Sequence, residues 1–209
     1  MSSRPTASVI VPFAGPGAEL PALISGLGRL SLGMGDEVLI AHNSGSEVAA
    51  SAVDGVRVVP APRVGAPGYA RNCAAQVARG EWLVFIDADT VPGPSLLDAY
   101  FSPPPQASTG ILAGGIIDIP GGPGLAARHS VARGHMSQQV TLDRAGTPYA
   151  QTANCAVRRE AFVAVGGFDD SIRAGEDADL CFRLAGDGWG LQERRQAEVQ
   201  HRTRATLPA

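Results

Sequence analysis

The segment Leu83-Val84-Phe85-Ile86 is apolar without a break and runs straight into Asp87-Ala88-Asp89. A short, wholly apolar run suits a strand covered on both faces, the central position of a parallel sheet. The first half of the chain is patterned around it. Val9-Ile10-Val11 is a β-branched run ended by Pro12, and Glu37–Ala41 and Val56–Val59 repeat the strand signal. Leu20, Leu23, Ile24, Leu27 and Leu30 make a helical stripe over Glu19–Leu30, with Gly26 and Gly28 blurring its end. Glu47–Val53 and Gly65–Ala78 read as further helices, the second stopped by Gly80. This order predicts an α/β fold: a Rossmann-like, doubly wound, mostly parallel central sheet with helices on both faces. Ligands of such sheets lie beyond the carboxyl ends of the strands. The positions just after Val11, Ala41 and Ile86 are therefore where chemistry is expected.

The second half is less regular. Pro103-Pro104-Pro105 is a stiff connector, and Gly110–Ile119 reads as a long strand with a bulge at Gly114-Gly115. Leu125–Leu142 reads as helix interrupted by Gly134, Ala153–Val157 as strand, and Glu160–Val165 and Glu176–Leu184 as helices. With 209 residues, no repeat and no linker, one domain is expected.

Composition excludes several classes. The net charge is −3 and no basic face is clustered, so no nucleic-acid partner is expected. Cys73, Cys155 and Cys181 are odd in number and widely spaced, which suits small buried residues rather than disulfides or zinc. Met1–Ala7 lacks a charged-then-apolar leader. No apolar stretch reaches the ~20 residues of a membrane span, so a cytoplasmic protein without an integral membrane segment is expected.

Three constellations could carry chemistry. Asp87-x-Asp89 delivers two carboxylates to the ligand end of a buried strand, where hard cations such as Mg²⁺ or Mn²⁺ find oxygen ligands and complete their shell with phosphate and water. Gly175-Glu176-Asp177-Ala178-Asp179 places acids at a helix start, where the macrodipole favours them and where one could act as a general base. Arg71, in the run Gly65–Asn72, could pair with a phosphate. Each pattern also has a plain structural explanation: a turn, a helix cap or a solvated arginine.

Taken together in order, they resemble the family-2 glycosyltransferases of GT-A fold. The similarity runs from Val9 to His201. It is carried by Ser8-Val9-Ile10-Val11-Pro12, Ala70-Arg71-Asn72, Gly80–Asp89, Asn154–Phe162 with Gly166-Gly167-Phe168-Asp169, and Glu176-Asp177-Ala178-Asp179-Leu180 followed by Arg183-Leu184. The resemblance implies a nucleotide-sugar half over about 7–100 and an acceptor half over about 101–205. It implies an inverting, metal-dependent enzyme that moves a sugar from a nucleoside-diphosphate donor, a UDP-sugar in the first instance, to a hydroxyl of a small-molecule or glycan acceptor. Asp177 would be the base and Glu176 its support. Asp89, with Asp87 and His201, would hold Mn²⁺ or Mg²⁺. Pro12, Phe13, His42, Asn43, Arg71, Asp87 and Ala88 would bind the nucleotide, Asp87 at the ribose.

This chain departs from the family where an acid usually follows the second strand. Here the segment is Ala41-His42-Asn43-Ser44-Gly45. Histidine can donate or accept where a carboxylate only accepts, so the base that is read is open. The opening turn, Pro12-Phe13-Ala14-Gly15, is also atypical. The processive motif and membrane helices of polysaccharide synthases are missing, which favours single-sugar addition. His129, His135, Gln138 and Gln139 are acceptor-side candidates. A non-catalytic GT-A-like nucleotide-binding or scaffolding domain is the alternative. A nucleotidyltransferase would need a lysine in its Gly-rich loop, and this chain contains only arginine as its basic residue besides histidine.

Overall fold

A computed structural model describes residues 4–45, 51–53, 55–63, 65–120, 131 and 136–203. Its strands are β1 (Ala7–Phe13), β2 (Glu37–His42), β3 (Ser51–Val53), β4 (Val56–Pro60), β5 (Trp82–Ile86), β6 (Thr90–Pro92), β7 (Thr109–Ile119), β8 (Asn154–Arg158) and β9 (Gly190–Arg202). The helices are α1 (Leu20–Leu27), α2 (Pro67–Val77), α3 (Leu96–Tyr100), α4 (Gln138–Leu142), α5 (Arg159–Ala164) and α6 (Glu176–Gly186). The strands form one sheet in the order β3-β4-β2-β1-β5-β8-β7-β9-β6. The strands β4, β2, β1, β5, β7 and β9 run one way, and β3, β8 and β6 run against them. The mostly parallel sheet is borne out.

Both faces of the centre are covered, which explains the unbroken apolar runs. Val9 and Val11 of β1 pack with Trp82, Val84 and Ile86 of β5, under Ile24 and Leu27 of α1 and Leu97 of α3. Ile10, Leu83 and Phe85 face the other way, onto Ala70 and Ala74 of α2, Phe162 of α5 and Leu180 of α6. The alanines on α2 let that helix lie close to the sheet. Among the described residues, no helix is long and apolar enough to cross a membrane.

Two expectations are corrected. Ser51–Val53 is strand, paired antiparallel with β4. Asp54-Gly55 between the two runs is a hairpin signal, and Gly55 takes φ +78°, which outweighs the helical reading. The rest of that expected helix, 47–50, lies outside the described residues, as does most of Leu125–Leu142 with His129 and His135. Gln138 is not a solvated helix position. It is buried, donating to the Asn154 carbonyl at 2.9 Å and accepting from the Gln151 N–H at 2.7 Å. Gln139 donates to Asp143 and accepts from Arg195.

The segment Asn154–Phe162 also proves structural at its first residue. Asn154 is fully buried at the start of β8, which lies between β5 and β7 in the sheet. Its amide nitrogen donates to the carbonyls of Gly115 at 2.8 Å and Ala197 at 2.7 Å, and its oxygen accepts from the Tyr100 hydroxyl at 2.7 Å. The expected bulge is there too: the β7/β9 register jumps between Gly114 and Gly115. Asn154 satisfies the carbonyls which that jump leaves free. Asn154→Ala is expected to lower the unfolding free energy by roughly 2–4 kcal/mol, since it strands several buried polar groups at once. Urea unfolding should show a lower midpoint with unchanged slope. An unmoved midpoint would mean the network carries no stability.

Candidate active site

The carboxyl ends of β1 and β2 lie side by side, with Phe13 opposite His42. The two rings meet at 5.5 Å between centroids, tilted by 57°. Pro12 is half-buried just before them. The chain holds this end tightly: the Asn43 N–H donates to the Phe13 carbonyl and the Ala61 N–H to the His42 carbonyl, both at 2.9 Å. Gly15 completes the turn because a Cβ there would lie 2.7 Å from the Phe13 ring.

Among the described residues, three buried side-chain atoms have no hydrogen-bond partner: His42 Nε2, Asn43 Oδ1 and Arg71 Nε. Buried polar groups are normally satisfied, so two such atoms on adjacent residues at the end of β2 are informative. The His42 ring nitrogen and the Asn43 amide oxygen lie just beneath the surface at the end of β2, each residue only 3% exposed. His42 Nδ1 is 3.4 Å from Ser44 Oγ.

Strand β5 ends at Ile86 and delivers Asp87, Ala88 and Asp89 to the same edge. The acids part company there. Asp87 turns toward α2, where Arg71 Nη2 donates to its Oδ1 at 2.7 Å. Asp89 faces outward, its side chain 57% exposed. His201, near the end of β9, lies with Nε2 3.5 Å from Asp89 Oδ2 and Nδ1 2.8 Å from Asp118 Oδ1. Asp118 is nearly buried and fixes the ring, the way a second carboxylate commonly orients a metal-binding histidine. Asp89, against the opposing effect of burial and with help from Asp118, raises the His201 pKa to about 9. A cation held by this ring would have to displace that proton.

Among the described residues, no three His, Cys, Asp or Glu side chains form a ready-made metal cage. Asp89 and His201 lie side by side at this end of the sheet, the aspartate open to solvent, and are the two groups that could hold a cation there. That fits a Mg²⁺- or Mn²⁺-type site completed by phosphate oxygens and water. A cavity of about 500 Å³ opens beside Asp89, between α1 and β6, with Phe13, Ala88 and Arg202 in its wall.

Glu176 and Asp177 open α6. The residue before them, Gly175, takes φ +82°, a left-handed conformation that glycine adopts without strain. Glu176 is buried and accepts from Arg71 Nη1 at 3.0 Å. Asp177 is oriented by the Ala178 N–H, which donates to its Oδ1 at 2.8 Å. Burial, with Glu176 adding repulsion against the Ala178 N–H and Arg71, pushes the Asp177 carboxyl above the ordinary aspartate range. A partly buried carboxylate with a raised pKa suits proton abstraction.

The structure therefore gathers Asp87, Asp89, Glu176, Asp177 and His201 at the edge where Phe13, His42 and Asn43 end. Arg71 differs from the expectation. The resemblance places it at the nucleotide, yet it is 3% exposed and both terminal nitrogens are taken by carboxylates. Asp118 escaped the sequence reading, although it is an acid near the end of an apolar strand, the same signal that marked Asp87.

Comparison with known proteins gives a consistent picture. The family model described as Glycosyltransferase like family 2 matches residues 36–209. A curated relative, the pre-mycofactocin glycosyltransferase of Mycobacterium tuberculosis, is 24% identical over 204 residues, covering 96% of this chain and 43% of the relative. The chain thus spans less than half the length of that relative. The mannosyltransferase PcManGT of Pyrobaculum calidifontis, solved with GDP-Man and Mn²⁺, superposes with TM-score 0.69 at 18% identity, over 97% of this chain and 58% of that one. GalNAc-T7, solved with UDP, GalNAc and Mn²⁺, gives TM-score 0.70 at 16% identity, over 98% of this chain and 45% of that one. The fold is the GT-A fold.

Proposed function

Because this chain belongs to glycosyltransferase like family 2, we propose that it transfers a glycosyl group from a nucleoside-diphosphate sugar to an acceptor hydroxyl, with inversion and with Mn²⁺ or Mg²⁺. The observation that carries this reading is the meeting of the Asp87-x-Asp89 strand end with the Glu176-Asp177 helix start, joined through one buried arginine. These elements are far apart in sequence, and a turn or a helix cap alone gives no reason for them to converge.

In this reading the acceptor oxygen bonds to the anomeric carbon as the bond from that carbon to the diphosphate breaks. Asp177 takes the hydroxyl proton. The attack comes from the face opposite the leaving group, so the configuration inverts. Positive charge builds on the sugar ring, as in glycoside cleavage. The carboxylates of Asp87, Asp89, Asp118, Glu176 and Asp177 outnumber the Arg71 guanidinium and the His201 imidazolium that face them, so without a cation they repel a bare diphosphate. Asp89 and His201 would hold the cation, whose contribution is to neutralise charge on the diphosphate as it departs. Asp87 would contact the ribose with its second oxygen. Pro12, Phe13 and Ala88 would wall the nucleotide, and the partnerless atoms of His42 and Asn43 would read the base. PcManGT and GalNAc-T7 were solved with GDP-Man and with UDP, respectively, so the fold leaves the base open.

The test is thermal unfolding with UDP, GDP, ADP, CDP and dTDP, each with and without Mn²⁺. A ligand at ~100 times its Kd stabilises the fold by ~2.7 kcal/mol. One nucleotide should stand out, and only with the cation. Equal, cation-independent behaviour of all five would defeat the donor assignment.

A further inference from the structure

Arg71 sits one turn into α2 and reaches two other parts of the chain at once. One terminal nitrogen binds Asp87, sixteen residues on at the end of β5, at 2.7 Å. The other binds Glu176, the first residue of α6, at 3.0 Å. The Phe168 ring packs against the guanidinium, with Cζ 5.7 Å from the ring centroid. The next residue, Asn72, fastens the segment leading to α6. Its amide donates to the Phe168 carbonyl at 2.9 Å and to Asp170 at 2.8 Å, and its oxygen accepts from the Phe168 N–H at 3.0 Å. Gly68, one turn earlier on α2, leaves room for this approach: a Cβ there would come within 3.3 Å of Phe168 and 3.6 Å of Glu176.

Helix α2 thus holds the first residue of α6 through the Arg71 guanidinium and the segment before it through the Asn72 amide. Asp177 is the residue after Glu176, so anything that moves Glu176 moves the base. We propose that Arg71 is a positioning residue: by binding Asp87 and Glu176 together, it holds the donor-side strand end and the base-bearing helix as one unit. The inference rests on Asp177 being the base, and assigns Arg71 to the base rather than to the nucleotide. Glu176 is then a strap, its charge met by Arg71, which leaves Asp177 as the carboxylate free to take a proton.

Lysine cannot replace the fork. A single ammonium lacks two nitrogens spread to meet carboxylates from separate elements. Electrostatics gives the link a signature of opposite signs. Arg71 lowers the pKa of Asp177, and Glu176 raises it.

The experiment follows Asp177 directly, by carbon-13 NMR titration of side-chain carboxyls, with its resonance assigned by its loss in Asp177→Asn. Arg71→Met should move the Asp177 midpoint up, Glu176→Gln should move it down, and Arg71→Lys should leave it close to wild type. Turnover is read in parallel as Mn²⁺-dependent release of nucleoside diphosphate from GDP-mannose or UDP-N-acetylglucosamine, with water as acceptor. Both Arg71 variants should lose about 100-fold in kcat, a loss that misplacing a reacting group by about 1 Å can cause, with a smaller rise in donor KM through Asp87. If Arg71→Met does not fold, Arg71→Lys and Glu176→Gln carry the test. A raised donor KM with kcat intact would return Arg71 to the nucleotide and overturn the inference. So would midpoints that stay put while every variant merely melts earlier. Turnover retained in Asp177→Asn sinks the base assignment and this inference with it; an inert Asp177→Asn with unmoved midpoints sinks this inference alone.

Discussion

Asp177→Asn is expected to lower turnover between about 10²- and 10⁴-fold, the range that a positioned general base contributes, while donor binding persists. Asparagine keeps the size of the side chain and can still accept from the Ala178 N–H. What it loses is the ability to take a proton. The pH dependence supplies a second reading. The Asp177 carboxyl titrates above the ordinary aspartate range because burial disfavours its charge. The acid limb of kcat in the wild type should therefore lie above that range, with activity rising as pH climbs through the Asp177 pKa. Stability moves the other way. The folded state binds this proton more tightly than the unfolded chain does. That contribution is full below the unfolded pKa and is lost as pH rises through the folded one. At neutral pH Asp177→Asn, free of a buried charge, should unfold at or above the wild-type temperature. An inactive variant that is also less stable would point to a structural role, and near-normal turnover would remove Asp177 from the chemistry.

Asp89→Ala should abolish the cation-dependent part of nucleotide binding. At a nucleotide concentration ~100 times the wild-type Kd, that part is worth ~2.7 kcal/mol of stabilisation. The fold should tolerate the change. The side chain is more than half exposed, and the strand contact at this position is made by the main chain, whose carbonyl accepts from the Arg202 N–H at 3.0 Å. Without ligand, the variant should be less stable than wild type at neutral pH, because Asp89 is the main cause of the raised His201 pKa, and the gap should close as pH rises through about 9. His201 keeps Asp118 as its partner, so the ring stays in place and the loss can be assigned to the missing carboxylate. A full Mn²⁺-dependent shift in Asp89→Ala would take Asp89 out of the metal site. These two variants separate the halves of the reaction: one should bind the donor without turning it over, and the other should lose the donor.

The sheet was legible wherever burial leaves a one-dimensional trace. Val9–Val11, Val38–Ala41 and Leu83–Ile86 are apolar because both faces of the central strands are covered, Val56 and Val58 alternate with Arg57 nearer the sheet edge, and the stripe on α1 repeats because one side of it is covered. The acids after Ile86 and at the start of α6 stood out because they break those patterns abruptly. The β9 strand left no such trace. Its side chains alternate between exposed polar residues and the few buried ones, such as Ala197 and Val199, and it is held mainly by main-chain pairing with β7 and β6. Main-chain hydrogen bonds are available to any residue but proline, so composition does not record them.

The sequence by itself determined which groups are present: two acids beyond a buried strand, two at a helix start, and a histidine where an acid is usual. Only the tertiary structure decided how they pair. Asp87 and Asp89 are two residues apart, yet one turns inward to Arg71 and the other outward to His201. Glu176 and Asp177 are adjacent, yet one is neutralised by a guanidinium and the other keeps a raised pKa. The reason is physical. A carboxylate's role follows from its burial and from the charge opposite it, and both are set by elements as much as 105 residues away along the chain.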